Sequence, residues 1–223
     1  MRPIRLLAIT FLACCLLSAP SLASQAKPNF VIIFIDDMGY GDIGPFGSTI
    51  NDTPHLDRMA KEGMKLTSFY VTSGVCTPSR SSLMTACYPL RVGLPRGSDH
   101  AVLFPGDHHG LNPDEITIAE VLTEAGYATG CFGKWHLGDQ PEFLPTNQGF
   151  DTYYGIPYSN DMWPGLKRWQ FPELPILRDE KVVGIVKDMK AQGQLCKQFT
   201  EEAVKFIRER KDEPFFVYLP HAF

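Results

Sequence analysis

An unbroken apolar stretch at residues 30–35, Phe-Val-Ile-Ile-Phe-Ile, ends abruptly on Asp36-Asp37 and a glycine-rich turn. Dominated by β-branched and aromatic residues with no polar alternation, it predicts a fully buried strand in the centre of a sheet. Thr53-Pro54-His55-Leu56 predicts the opening of a short helix, with Leu56, Met59 and Ala60 on one side and Gly63 as its stop. Thr117 and Glu120 have capping-box spacing and predict a helix running to Gly126. Residues 127–132 predict the next strand. Thr200 predicts the cap of a helix through Arg210 with Ala203, Phe206 and Ile207 turned inward, and residues 214–219 predict the last strand. Strands that alternate with helices imply an α/β fold, a mostly parallel central sheet with helices on both faces. In such sheets ligands collect at the carboxyl ends of the strands. Asp36 and Asp37, Lys134 and His136, and His221 all fall at those ends.

Residues 1–26 follow another pattern. Arg2 and Arg5 precede an apolar run over 6–17, and small residues follow in Ser21-Leu22-Ala23 and Ser24-Gln25-Ala26. This is the layout of a secretory signal peptide, 1–23 with cleavage possible to 26. The run is short of the roughly 20 apolar residues a membrane span needs, and it continues past Cys14, which argues against lipoprotein processing there. The rest, 24–223, is expected to be exported (periplasmic or secreted) and free of the membrane once the signal is removed. A hydrophobic fraction of 44% supplies a substantial core. A net charge of -4 without a basic run argues against nucleic acid as a partner. After the signal, Cys76, Cys87, Cys131 and Cys196 remain. They are too sparse for a disulfide scaffold, and none has the spacing of a zinc site.

Asp36 and Asp37 are the first candidates for chemistry. Adjacent carboxylates at the end of an apolar strand repel each other and resist desolvation, and a hard cation such as calcium or magnesium relieves both problems; a helix cap or loop pair is the plainer alternative. The second candidate is Cys76-Thr77-Pro78-Ser79-Arg80. Pro78 suits the first turn of a helix, which places Cys76 at a helix N-terminus, where the dipole and free N–H groups favour an anion. Arg80 lies one turn on and can face the same spot.

Cys-x-Pro-Ser-Arg at residues 76–80 resembles the signature of type I, formylglycine-dependent sulfatases. Gly133-Lys134-Trp135-His136-Leu137-Gly138 resembles a second signature of that family, and residues 29–42 its opening strand and metal-binding loop. Gly149-Phe150 and Gly155-Ile156-Pro157-Tyr158-Ser159-Asn160-Asp161 resemble the branch of arylsulfatase A and N-acetylgalactosamine-6-sulfatase. The resemblance implies an alkaline-phosphatase-like fold and hydrolysis of sulfate esters, of sulfated glycans or aryl sulfates. It implies Ca2+ held by Asp36, Asp37 and the Cys76 side chain, and a nucleophile made from Cys76 by a formylglycine-generating enzyme. It further implies that Arg80 steadies the hydrated nucleophile, that His136 hydrogen-bonds to it, and that Lys134 and Ser159 bind the sulfate. The implied chemistry is attack of one hydroxyl of the aldehyde hydrate on sulfur, departure of the alcohol, and expulsion of sulfate by the other hydroxyl.

Two departures stand out. The family's glycine after Cys-x-Pro-Ser-Arg-x-x-Leu-x-Thr is Ala86 here, followed by Cys87, so a methyl is added on a packed helix. Family members are also roughly twice this long, a size that suits a large single α/β domain. The resemblance therefore implies that 24–223 is the N-terminal part of a sulfatase catalytic domain, incomplete at the C-terminus and inactive alone, with His221 a neighbour of the sulfate-contacting histidine and not its equivalent. Two other readings compete: a phosphatase or phosphonate monoester hydrolase on the same scaffold, and a non-catalytic fragment that binds anionic sugars.

Overall fold

The computed structural model describes residues 27–223, so the signal-peptide reading lies outside the described residues. Strands β1 (Phe30–Phe34), β2 (Ala128–Lys134), β3 (Thr152–Ile156), β4 (Leu174–Arg178), β5 (Lys181–Val186) and β6 (Phe215–Pro220) form one sheet in the order β1-β6-β2-β3-β4-β5. The last strand of the chain thus slots between the first two, parallel to both. β2 and β3 are also parallel, while β3, β4 and β5 pair antiparallel. Helices α1 (Pro54–Glu62), α2 (Cys76–Thr85), α3 (Ile118–Glu124), α4 (Met189–Gln192) and α5 (Leu195–Glu209) complete the frame.

The pleat of β6 shows why both sheet faces are covered. Phe216 and Tyr218 join a core with Trp135, Tyr153, Met84 of α2 and Ala119 of α3. Phe215, Val217 and Leu219, on alternate positions, join an opposite core with Phe199, Ala203 and Phe206 of α5. Burying a large apolar side chain contributes about 1.5–3 kcal/mol, so these two layers dominate the stability of the frame. Thr117 caps α3 as the sequence predicts: its hydroxyl accepts from the Glu120 N–H, and the Glu120 carboxylate accepts from the Thr117 N–H.

Two expectations need correction, and one hairpin was not predicted. β1 is a strand, but within the described residues it is an edge strand, paired with β6 alone. Phe30, Val31 and Ile33 are 42%, 46% and 49% exposed. An apolar run reports the surface a strand offers, not how many neighbours cover it. Thr200 caps nothing; α5 begins five residues earlier at Leu195, and the Thr200 hydroxyl donates back to the Cys196 carbonyl at 2.7 Å. Mid-helix threonines satisfy their hydroxyls in this way, which imitates a cap in sequence. The antiparallel β4–β5 hairpin was not foreseen, because Pro175 and the charged turn at 179–181 interrupt its alternation.

At the end of α2, Ala86 takes the left-handed conformation (φ 55°, ψ 23°), and its N–H donates to the Ser82 carbonyl at 2.8 Å. The consequence of alanine here is therefore backbone strain at a helix C-terminus, where glycine is usual. We expect Ala86→Gly to stabilise the protein by about 1 kcal/mol, read as a rise of roughly 2–4 °C in Tm. A lower Tm would show that the alanine methyl packs more favourably than its backbone is strained.

Candidate active site

β1, β2 and the start of α2 all end at the same edge of the sheet, and their terminal residues meet there. The chain leaves β1 through Asp36 and Asp37, the latter turning left-handed at φ 59°. α2 begins at Cys76 after an extended Val75. Cys76 and Thr77 thereby present first-turn N–H groups without intrahelical acceptors, and Pro78 has none to present. β2 delivers Lys134 after Gly133, whose φ of 148° suits glycine; a side chain there would collide with the Pro220 carbonyl of β6. That close approach draws the end of β2 toward the end of β6.

Asp36 is the hub. Its Oδ1 accepts from Arg80 Nη2 at 3.1 Å and its Oδ2 from Lys134 Nζ at 2.5 Å. Cys76 Sγ lies 3.7 and 3.9 Å from the same two oxygens. Lys134 also reaches Cys76 Sγ at 3.3 Å and Ser159 Oγ at 3.0 Å. The ammonium has three protons and here meets three acceptors. Both cations are buried, with side chains 0% and 1% exposed. Burial alone would push the Asp36 carboxyl up, but Lys134 and Arg80 outweigh it and hold it below the usual carboxylate range. Burial would likewise weaken protonation of Arg80, yet Tyr218, Asp36 and Cys76 raise its pKa further. Arg80 Nη1 donates to the Lys134 carbonyl at 2.6 Å, and its guanidinium lies 5.2 Å from the Phe34 ring centroid.

His136 follows in a left-handed turn, φ 61°. Its Nε2 is 2.9 Å from the Leu103 carbonyl. A carbonyl only accepts, so Nε2 carries the proton and Nδ1 is an acceptor; Nδ1 is buried without a partner. Burial first, then the nearby Lys134 charge, pushes this imidazole well below its ordinary range, so it is neutral. Thr77 was not singled out by the sequence, because it occupies the variable position of its motif. Its hydroxyl donates to the His136 carbonyl at 3.1 Å and accepts from the Leu103 N–H at 3.1 Å, tying the helix start to both. His221 lies at the same edge, donating its N–H to the Phe34 carbonyl at 2.8 Å.

The expected residues thus divide. Asp36, Cys76, Arg80, Lys134 and Ser159 form one contact network, and His136 stands close enough for Lys134, Arg80 and Asp36 to act on it. Asp37 is exposed and joins Asp36 and Cys76 only as part of the wall of one cavity of about 920 Å³, together with Tyr40, Met59 and Phe69. Among the described residues no group of three or more His, Cys, Asp or Glu side chains converges as a metal cluster. Asp36 and Asp37 nevertheless offer the hard oxygen donors that calcium takes. Both line the same cavity, and it is by this donor chemistry that the pair fits a hard cation.

Asp36→Asn would leave two buried cations without a counter-ion. We expect it to destabilise the protein by about 3–5 kcal/mol, against less than about 0.5 kcal/mol for exposed Asp37→Asn, both measured as shifts in urea midpoint. Equal effects would show that the ion cluster does not support the fold. Buried neutral His136 also links stability to pH. Its folded pKa is depressed from 6.5, so its contribution is complete above about pH 6.5 and is lost as pH falls below it, where only the unfolded chain takes up the proton. His221, also depressed by burial, acts in the same direction. A Tm that falls from pH 6.5 to 5, with a shallower slope in His136→Gln, is the expected result; an unchanged slope would remove His136 from the explanation.

A model of the sulfatase family matches residues 28–221. Arylsulfatase A of Homo sapiens is 48% identical over 215 residues, which cover 90% of this chain and 42% of that protein. N-acetylgalactosamine-6-sulfatase of Canis lupus familiaris is 37% identical over 216 residues, covering 91% of this chain and 41% of that one. Among solved structures, Ps i-CgsB in complex with k-i-k-neocarrahexaose superposes with a TM-score of 0.74 at 32% identity, covering 87% of this chain and 45% of that one. The chain therefore spans less than half the length of these relatives. With a family match that runs from the entry to β1 to the residue after β6, and so takes in every residue of the Asp36 cluster, this chain belongs to the sulfatase family.

Proposed function

We propose that this chain carries the nucleophile and part of the anion site of an exported sulfatase that hydrolyses sulfate esters of glycans or aryl alcohols. The observation that carries the reading is Lys134, whose ammonium touches Asp36, Cys76 and Ser159 at once. Arg80 and Lys134 bring two positive charges and Asp36 one negative, so the cluster keeps a net positive charge beside the N-terminus of α2. That is the field a sulfate group needs in a site with little water to screen it.

In this reading Cys76 is converted to formylglycine by a maturation enzyme, and its hydrate supplies the attacking hydroxyl. Asp36 and Asp37 would hold a calcium ion, which adds positive charge beside that hydroxyl when bound. The protein's own groups do the rest. Lys134 and Ser159 orient the sulfate oxygens, and Lys134 offsets the charge that builds on them. Arg80, pinned by the Lys134 carbonyl and Asp36, fixes the position of the Cys76 side chain through the carboxylate they share. His136 Nδ1, unprotonated and unpaired, accepts a hydrogen bond from a hydroxyl at position 76.

The test is turnover of para-nitrophenyl sulfate and para-nitrophenyl phosphate by the full native gene product, matured and supplied with calcium. We expect sulfate to be preferred, and Lys134→Ala to lower kcat by about 10²–10³-fold. A protein with formylglycine verified at position 76 that prefers the phosphate ester would overturn the reading.

A further inference from the structure

Two loops flank the ion cluster, and their tips meet in a group of aromatic rings that the chemistry above leaves unused. The first loop carries Leu103, whose carbonyl holds His136 and whose N–H holds Thr77. The next residue, Phe104, stacks on His100 with ring centroids 3.8 Å apart. The second loop starts at Ser159, the acceptor of Lys134. It runs through successive turns, Met162 to Ser159, Leu166 to Trp163 and Trp169 to Leu166, before β4 begins. Trp169 from this loop packs edge-on against His100 at 5.3 Å and Phe104 at 5.5 Å.

This arrangement differs from a core. Phe104 packs against the core layer that includes Tyr158 and Met162, so the cluster is anchored beside the residues that lead into and out of Ser159. Trp169 itself is 38% exposed, and the Arg168 guanidinium lies 5.4 Å from its ring centroid. A large aromatic surface packed edge-on against two other rings, still partly exposed and with a cation over its ring, has the features of a recognition surface for a ligand that is both apolar and anionic. A sulfated sugar is such a ligand. The C–H bonds on one face of a pyranose are weakly positive and suit the negative face of an indole, while its sulfate groups suit an arginine.

We propose that Trp169, packed edge-on against His100 and Phe104 and carrying Arg168 over its ring, is the platform against which a sugar ring of a sulfated glycan packs, on the surface Arg168 leaves free, when its sulfate enters the Lys134 site. The proposal rests on the sulfatase reading above and adds a specificity-determining residue to it. Trp169 acts on the carbohydrate part of the substrate and is not needed for the sulfate group.

The full native gene product is to be assayed on para-nitrophenyl sulfate and on chondroitin 4-sulfate, chondroitin 6-sulfate and κ-carrageenan oligosaccharides. For whichever oligosaccharide is cleaved fastest, Trp169→Ala is expected to lower kcat/KM at least tenfold, mainly through KM. Trp169→Phe should keep most of the activity, and both variants should remain within about threefold of the parent on the aryl sulfate. Thermal unfolding of each variant separates a lost platform from a lost fold: an alanine variant that melts early is set aside in favour of Arg168→Ala, expected to raise KM for the oligosaccharide about threefold or more. Oligosaccharide kinetics unchanged in a folded Trp169→Ala variant would overturn the platform, as would cleavage of the aryl sulfate with none of the three oligosaccharides turned over. Failure on the aryl sulfate as well would instead reject the sulfatase reading itself.

Discussion

One carboxylate shared between two buried cations organises this end of the molecule. Asp36 neutralises only half of the charge that Arg80 and Lys134 bring, and water is largely excluded from both cations. A buried ion pair is weak evidence for stability, because desolvation cancels much of the attraction. An unbalanced triad is weaker still as a stabilising device. Its residual positive charge is more useful as a fixed field for an anion, and the Cys76 side chain sits inside that field.

The frame is built to hold that imbalance in place. The parallel β1–β6–β2 arrangement brings Asp36, His221 and Lys134 to one edge, and the two apolar layers keep the strands from shifting. Local strain gathers at the same spot: Asp37 and His136 both adopt left-handed backbone, at a cost of order 1–2 kcal/mol each. Gly133 permits a close approach of strands that other residues would block. Two of the four left-handed non-glycine residues among the described residues, Asp37 and His136, thus lie beside the Asp36 cluster, while Ala86 and Asp179 lie at a helix end and a hairpin turn.

Much of this was legible in the sequence. An apolar run marks β6 because a strand covered on both faces needs continuous apolar surface, and the Thr117–Glu120 box marks α3 because its hydrogen bonds are local. Residues 76–80 mark a helix start because Pro78 suits a helix's first turn, where its missing N–H costs nothing. What was not legible depends on tertiary neighbours. Nothing in the run 30–35 tells that β1 lies at an edge, and nothing local distinguishes Thr200 inside α5 from a cap. The role of Thr77 is set by two partners distant in the chain, Leu103 and His136, and so leaves no pattern. The left-handed turn at Ala86 is hidden because alanine is the last residue expected to signal it. Asp37 was legible as a neighbour of Asp36, but adjacency in the chain did not bring it into the ion network.

The open flank of β1 has a practical consequence. Val31 and Ile33 present an apolar ladder whose outer amide and carbonyl groups no strand satisfies among the described residues. Such an edge is a template for intermolecular cross-strand pairing. Recovery of this polypeptide from concentrated stocks or by refolding will therefore depend on how quickly that edge is shielded.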